Sequence, residues 1–427
     1  MLAVLRQRNF ALLWFGQLIS VFGDWVLLIA LPFYIFDVTG SALATGAMFI
    51  AQTVPRVLLG SFAGVFVDRW NRKRTMIATD VLRAALLLLL LAVRSADWLP
   101  LIYGVAFFQA VIAQFFVPAK NAVIPLLVSE RDLIPANALN SLSENLTRLT
   151  APALGGALFG LLGLRSVVLV DSASFLLSAL AIALIVVPVG TRAAANSNGA
   201  SWRAAWGEWR DGLRLIRSVP TITAVFAAMG TAMIAEGIFL VMLVPFVKIV
   251  LHGGAQDFGW LASAQAVGGL VGSAVIGRLG KVIRPAILIP SCGFLFGLCD
   301  VALALAPGHL GLAPLVTALV MIGLAGAPIV GFFIGLQALL QGSVADQYRG
   351  RVFGAFSTIV ALMTLCGQGI GSALGDRVGV VPLIALAGCF DILASGVAFV
   401  FLRRASGSTM VPQESARPIV EEATLRG

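Results

Sequence analysis

The sequence predicts an all-α integral membrane protein with twelve transmembrane helices, arranged as two pseudo-symmetric bundles of six helices. Its 427 residues are 59% hydrophobic and only 11% charged, with a mean hydropathy of +0.98, so a water-soluble core with a polar shell cannot form. Long apolar runs alternate with short basic segments. The second half of the chain also repeats features of the first, which is typical of transporters that rock two bundles around a central site.

Six apolar runs long enough to span a bilayer occupy the first half, at 10–36, 43–67, 75–93, 99–128, 137–163 and 167–188. Six more follow at 221–250, 257–280, 285–306, 310–341, 351–376 and 380–402. We therefore expect an N-terminal six-helix bundle over 1–188, a cytoplasmic linker over 189–220 and a C-terminal six-helix bundle over 221–405. Residues 406–427 lack periodic apolar residues and are expected to form a disordered cytoplasmic tail.

Basic loop residues fall mainly on one side of this threading, which predicts that side to be cytoplasmic. That side holds Arg6, Arg8, the 69–74 segment, Arg131, the arginines between 203 and 217, Arg278, Lys281, Arg284, Arg349, Arg351, Arg403 and Arg404. The opposite side holds only Arg94, Arg165, Lys248 and Arg377. Both termini are therefore expected to be cytoplasmic, in a multi-pass protein of the cell (inner) membrane.

Several matches between the halves support an internal repeat. They are Asp24 before Pro32 and Glu236 before Pro245, then Gly60 and Gly64 with Gly268 and Gly272, and Gly156 and Gly160 with Gly371 and Gly375. Any one match could arise by chance among Gly-rich helices, but three in the same order favour a six-plus-six repeat.

The segment from Gly60 to Arg74 reads GSFAGVFVDRWNRKR and joins two apolar runs through a strongly basic turn. It resembles the loop signature between the second and third helices of the major facilitator superfamily. Asn71 stands where that family usually has Gly, and Asn tolerates a left-handed turn better than most residues.

The resemblance implies a conformational gate on the cytoplasmic side, formed by Gly64, Asp68, Arg69 and Arg72. Gly64 is expected to pack against the eleventh helix while Asp68 faces the N-terminal end of that helix, where the helix dipole favours negative charge. The alternative is that Asp68 only balances the local cations and that the arginines only set topology.

The fifth helix contains Pro152, Gly155 and Gly156, which predict a bend and a close approach to a neighbouring helix. This stretch resembles the Gly-Pro-x-x-Gly-Gly signature of the superfamily's exporters, with Ala151 in place of the first Gly. The phrases at 118–128, 136–140, 169–175 and 348–352 resemble the macrolide- and siderophore-efflux branch. The resemblance implies a proton-coupled exporter of amphiphilic molecules, with antiport less secure than transport.

Two acidic residues lie deep in their spans. Asp24 is about fourteen residues, or roughly 21 Å, into the first helix, and Glu236 lies at similar depth in the seventh. An unpaired carboxylate at that depth is stable only when protonated, and it charges again when water or a cation reaches it. We therefore expect Asp24 and Glu236 to couple protons or contact substrate, the alternative being that each only neutralises an arginine.

Two arginines also lie near mid-span and need an anionic partner. Glu144 lies one turn before Arg148, so a local salt bridge is the simpler expectation for that pair. Arg56 has no such local partner and is the candidate to contact substrate or Asp24.

The fourth helix lacks the arginine that many proton-coupled members of the superfamily carry, and Gln109 and Gln114 are its long polar residues. Either Arg56 or Arg83 takes over its role, or coupling differs from the common scheme. Asp80 and Arg83 form a possible structural i,i+3 pair, and Asp171, Asp300 and Asp391 are minor candidates.

Within the linker, Trp202, Trp206 and Trp209 follow helical spacing beside several arginines, which predicts an amphipathic helix on the membrane surface. The four cysteines show no disulfide or metal spacing, and we expect free thiols and no metal site. We also expect no cofactor, since the driving force would be a proton gradient.

The net charge of +9 lies in short turns between spans, so we expect membrane lipids and a small amphiphilic substrate as partners, and no nucleic acid. A membrane-embedded enzyme is disfavoured because His252 and His309, the only histidines, lie far apart in the sequence. A lipid flippase of the same fold remains the alternative. The protein is expected to act as a monomer.

Overall fold

The computed structural model describes residues 2–60, 63–67, 69–186, 219–279, 283–307, 313–344 and 349–407, and within these ranges the chain is helical without strands. The surface helix predicted near Trp202 lies outside the described residues, as do Asp68 and residues 408–427 of the predicted tail.

The first half contains the spanning helices α1 (Arg8–Thr39), α2 (Ala42–Leu59), α3 (Arg72–Leu88) and α4 (Leu99–Leu127), followed by a continuous helical stretch over Leu133–Ala183. The second half contains α7 (Pro220–Pro245), α8 (Ala255–Leu279), α9 (Pro285–Leu305), α10 (Pro314–Ser343), α11 (Arg349–Val378) and α12 (Val380–Gly407).

The stretch over Leu133–Ala183 is two spans joined at a break. Its 51 residues would make a straight helix of about 76 Å, more than twice the hydrocarbon thickness of a bilayer. Gly163 divides it with φ 73° and ψ −176°, a backbone conformation that side chains disfavour and glycine permits. The arms are α5 (133–162) and α6 (164–183). With this division, the structure agrees with the prediction of twelve helices.

Asn71 has a different role from the one predicted. Its backbone is extended, with φ −72° and ψ 106°, and its side-chain oxygen accepts a hydrogen bond from the Arg74 amide at 3.0 Å. Asn71 is therefore the N-cap of α3, because its short amide satisfies a free N–H of the first turn. The interpretation as a left-handed turn residue was wrong.

Glycines allow the helices within each half to lie close together. A Cβ at Gly155 on α5 would lie 2.8 Å from the Val26 Cα of α1. In the second half, a Cβ at Gly237 on α7 would lie 2.7 Å from the Gln368 amide nitrogen of α11. The first and fifth helices of each half thus meet backbone to backbone, as the internal repeat predicts.

The hydrophobic core is shared by the two halves at one end of the molecule and divided at the other. We call the end at which α1 passes into α2 the distal end, and the end with the N-terminus the proximal end. One distal core joins residues of both halves, including Phe33 and Phe246. Separate proximal cores surround Phe10 in the first half and Phe332 in the second. The halves therefore meet distally and separate proximally.

Polar contacts between the halves follow the same pattern. The Asp376 carboxylate of α11 accepts hydrogen bonds from Ser41 Oγ at 2.6 Å, from the Ala42 amide at 2.6 Å and from the Leu43 amide at 3.3 Å. Asp37, in the last turn of α1, and Lys248, just after α7, form an ion pair of 2.6 Å. We call these two contacts together the distal latch.

The remaining contact of this kind lies at mid-depth, where Ser263 Oγ of α8 donates to the Leu149 carbonyl of α5 at 2.7 Å. No hydrogen bond or ion pair joins the halves proximal to this pair in the part of the chain that the structure describes. The molecule is thus closed distally and open proximally.

Candidate functional site

Arg83 lies at the centre of a polar cluster inside the N-terminal half. Its guanidinium forms an ion pair with Asp24 of α1, and the two side chains are 12% and 37% exposed, respectively. Arg83 Nε donates to Gln109 Oε1 of α4 at 2.8 Å, and Gln109 Nε2 donates back to the Arg83 carbonyl at 2.8 Å. Three helices therefore fix one cation at a depth where charge is costly.

The sixth helix closes the cluster. The Phe175 ring, fully buried on α6, lies 4.0 Å from the Arg83 guanidinium carbon, a cation–π contact. Asp171, one turn earlier on α6, is also fully buried, and its charge acts on both Asp24 and Arg83.

Asp80 is the third carboxyl of this cluster and is fully buried on α3. Ser178 of α6 is its nearest hydroxyl, but no hydrogen bond of good geometry reaches either carboxyl oxygen within the described residues. Asp24, Asp80 and Asp171 thus face a single cation, Arg83. Because Arg83 already pairs with Asp24, the other two carboxyls are stable in a dry interior only as neutral, protonated acids.

The C-terminal half contains a second group of carboxyls. Glu236 lies on α7 at the position that Asp24 occupies on α1, sixteen residues after the first residue of each helix. Asp300 of α9 and Asp391 of α12 are each 3% exposed, and their charges act on Glu236 and on each other. The cation that acts on Glu236 is Arg148, which belongs to α5 of the other half.

The predicted contact of Arg56 with Asp24 was wrong. The Arg56 side chain is exposed on α2 and makes no ion pair or hydrogen bond with any residue that the structure describes, and its contact with substrate stays a prediction. Arg83 pairs with Asp24 instead, because the side of α3 that carries Arg83 faces α1, α4 and α6. That Arg83 replaces the arginine that α4 lacks also stays a prediction.

The predicted Glu144–Arg148 salt bridge was also wrong. The charge of Glu144 acts on Lys120 of α4, whereas that of Arg148 acts on Glu236 of α7. Exposed i,i+4 pairs contribute only about 0.2–0.5 kcal/mol, so partners on neighbouring helices compete successfully.

The predicted cytoplasmic gate is apart in this structure. A Cβ at Gly64 would meet no atom of the described residues within 4 Å, so Gly64 does not pack against the described part of α11 here. Arg69 is exposed and Arg72 half-buried at the proximal end, and Asp68 lies outside the described residues. A gate that closes only when the proximal end closes is expected to be apart in this conformation, so its role stays a prediction.

The exporter-like segment of α5 lies where three helices cross. Gly155 faces Val26 of α1, while Gly156 faces the Ala255 carbonyl of α8. Pro152 is buried, and its carbonyl lies against Gly259 of α8. The segment therefore contacts both its own half and the opposite half.

Sequence reasoning placed Asp80 beside Arg83 as a possible i,i+3 pair, but it did not find that the arginine pairs with Asp24 or that Asp171 lies near it. Depth was the available signal, because Arg83 lies eleven residues into α3, or about 16 Å, where a guanidinium needs an anion. Depth alone does not show which neighbouring helix the Arg83 side chain faces. No group of His, Cys, Asp and Glu that could hold a metal ion occurs in the described ranges.

Comparison with known proteins agrees with this architecture. The chain is 26% identical over 391 residues to macrolide efflux protein A of Streptococcus pyogenes, covering 90% of this chain and 94% of the relative. It is 25% identical over 420 residues to the multidrug efflux pump Tap of Mycolicibacterium fortuitum, covering 93% and 97%. In fold, it is similar to a bacterial homologue of the iron transporter ferroportin in the inward-facing state, with a TM-score of 0.72, 17% identity and coverage of 93% and 98%.

A family model described as a transmembrane secretion effector matches residues 1–424, nearly the whole chain. Its helices, its internal repeat and its buried charges fit a secondary transporter and not an enzyme. The chain therefore belongs to the transmembrane secretion effector family of the major facilitator superfamily.

Proposed function

We propose that this transporter is a proton-coupled exporter of amphiphilic small molecules in a bacterial inner membrane. The observation that carries the proposal is the ion pair of Asp24 with Arg83 inside the N-terminal half. Relatives named for macrolide and multidrug efflux support the substrate class. Each chain contains both carboxyl clusters, which supports a functional monomer with lipids around it.

Coupling depends on the charge of Asp24. Its side chain is 37% exposed, so a proton can reach it, and protonation removes the anion that Arg83 neutralises. Arg83 must then find another partner, and this requirement couples proton binding to rearrangement of α1, α3, α4 and α6. The Glu236 group, with three carboxyls and a cation from the other half, favours a positively charged part of the substrate.

Alternating access assigns roles to the two ends. The distribution of basic residues supports a cytoplasmic proximal end, so the present conformation receives substrate from the cytoplasm. Opening to the outside requires release of the distal latch and closure of the proximal gate at Gly64 and Asp68.

A lipid flippase is the second candidate, favoured by one observation. A groove of about 470 Å³ lies between α1, α5 and α6, and most of its lining is apolar. Its lining side chains Ile19, Leu146 and Leu177 are 43%, 47% and 53% exposed, so an acyl chain can enter from the membrane.

Purified protein in sealed liposomes tests both candidates. We expect a pH gradient to drive a radiolabelled macrolide or the fluorescent cation ethidium against its concentration gradient, and Asp24→Asn to lose this response. Movement of a fluorescent phospholipid without any gradient, with neither probe transported, would support the flippase. Equal probe transport with and without the pH gradient would refute proton coupling.

A further inference from the structure

Asp171 lies against the backbone of α1, directly beside Asp24. A Cβ at Gly23 would lie 3.1 Å from the Asp171 Cγ and 2.5 Å from the Ser174 Oγ. The absence of a side chain at Gly23 therefore makes room for a carboxyl at the contact between α1 and α6. Asp171 is the acid that this contact brings next to Asp24.

The hydrogen bonds of Asp171 fit a neutral acid better than an anion. Ser174 Oγ donates to the Asp171 carbonyl at 2.7 Å and lies 3.2 Å from Oδ1. Oδ2 is buried and has no hydrogen-bond partner among the described residues. A fully buried anion with one weak hydrogen bond would be strongly disfavoured, so Asp171 holds a proton while Arg83 pairs with Asp24.

Arg83 lies within one turn of Asp171. Its guanidinium stacks on Phe175, four residues after Asp171 on the same helix, so Asp171 and Phe175 share one face of α6. One turn is about 5.4 Å along the axis, a distance that rotation of a long arginine side chain can cover.

We propose that Asp171 is a second proton-carrying residue of the coupling site and exchanges with Asp24 as the partner of Arg83. A proton from water binds the Asp24 carboxylate, Arg83 keeps its charge and turns to Asp171, and Asp171 releases its own proton to water. One proton is bound and one is released, so the net charge of the cluster does not change. The inference rests on the proposed proton coupling.

The other groups that face this exchange come from each packed helix. They are Asp80 on α3, Gln109 on α4, and Ser174 and Ser178 on α6. Asp97 is the control, since it is an acid of the same half that is exposed, interacts with Ser95 of its own turn and lies outside the Arg83 cluster.

The test measures two activities of the full-length protein in liposomes with ethidium or a labelled macrolide. Asp171→Asn should lower pH-driven uphill transport at least about tenfold, while exchange of labelled for unlabelled probe stays within about twofold, because a buried charge without its partner is strongly disfavoured. Asp97→Asn should change neither activity by more than about twofold. Asp171→Glu, which restores an ionisable group, should recover uphill transport.

Normal uphill transport by Asp171→Asn would overturn the inference, as would equal uncoupling by Asp97→Asn. If Asp171→Asn does not fold, Asp171→Glu becomes the test. Loss of uphill transport with normal exchange in Asp171→Glu would also overturn the inference. Asp24→Asn is measured beside them. If Asp24→Asn keeps pH-driven transport, the proposed function itself fails. If Asp24→Asn loses pH-driven transport but Asp171→Asn keeps it, only the role of Asp171 is refuted.

Discussion

The two halves repeat one helical plan but treat buried charge differently. In the N-terminal half, Arg83 lies among Asp24, Asp80 and Asp171, and all four residues belong to that half. In the C-terminal half, Glu236 lies with Asp300 and Asp391, and the cation that acts on Glu236 comes from the other half.

Because of this difference, only the Glu236 group depends directly on how the two halves are placed relative to each other. The partners in the Arg83 cluster stay together however the halves move, so this cluster can hold a proton throughout a cycle. The interaction of Arg148 with Glu236 crosses between the halves and must change when they rock. We infer that the N-terminal half carries the proton and that the C-terminal half reports on substrate and conformation.

The first prediction is that substituting Arg83 lowers the stability of the protein more than substituting Arg148. Arg83→Ala leaves the half-buried Asp24 without its partner and removes the cation beside the buried Asp80 and Asp171, so it should lower stability by about 1–3 kcal/mol. Arg148→Ala removes an exposed side chain and should cost less than about 1 kcal/mol. Thermal unfolding in detergent measures both, and equal losses would contradict the contrast between the halves.

The second prediction separates the two mid-membrane acids by their kinetics. Asp24→Asn should lower pH-driven transport by about a hundredfold and remove its pH dependence, because the proton-binding partner of Arg83 is lost. Glu236→Gln should instead raise KM for a cationic probe by about fivefold and keep the pH dependence. Initial rates in liposomes across pH provide the measurement. A KM effect for Asp24→Asn, with pH dependence kept, would reverse the assignment.

The third prediction compares helix packing in the two halves. A Cβ at Gly155 would lie 2.8 Å from Val26 Cα, whereas one at Gly371 would lie 3.4 Å from Ile238 Cα. Gly155→Ala should therefore lower stability by about 1–3 kcal/mol, and Gly371→Ala by less. Gly160→Ala is the control, since a Cβ there meets nothing within 4 Å. Similar melting temperatures for all three variants would show that the α1–α5 contact adjusts easily.

The fourth prediction concerns the distal latch, whose weakening should make the distal end open more often. Asp376→Asn removes the charge that accepts hydrogen bonds at the start of α2, and should raise opening of the distal end about tenfold. The readout is labelling of Thr45→Cys, a buried position on α2, by an impermeant maleimide after the four native cysteines are changed to Ser.

Asp97→Asn is the control for this measurement. Asp97 is exposed and interacts with Ser95 of its own turn, so its loss should leave the labelling rate unchanged. An unchanged rate in Asp376→Asn would show that apolar contacts alone hold the distal end closed.

The sequence contained most of the fold because span length and basic loops are properties of short segments. The predicted boundary between 163 and 167 fell at Gly163, where the backbone breaks. Depth within a span can also be read from the sequence, and it indicates Asp24 and Glu236 as mid-membrane acids. The structure places these two residues at matching positions on α1 and α7.

Direction around a helix axis was not accessible, because it depends on which helices pack beside one another. For this reason Arg56 was preferred over Arg83 as the partner of Asp24, although Arg83 is at suitable depth. Local spacing misled in the same way at Glu144 and Arg148, whose charges act on Lys120 and Glu236 of other helices. Pairing within a bundle is a tertiary property that neighbouring sequence does not specify.

The continuous apolar core at the distal end has a consequence for the energetics of the cycle. Opening that end would expose large side chains such as Phe33 and Phe246 to water, at a cost that grows with the uncovered area. Without substrate, the protein should therefore rest with its distal end closed and its proximal end open. A hydrophobic substrate that covers those side chains lowers the cost, so substrate binding itself would help to open the distal end.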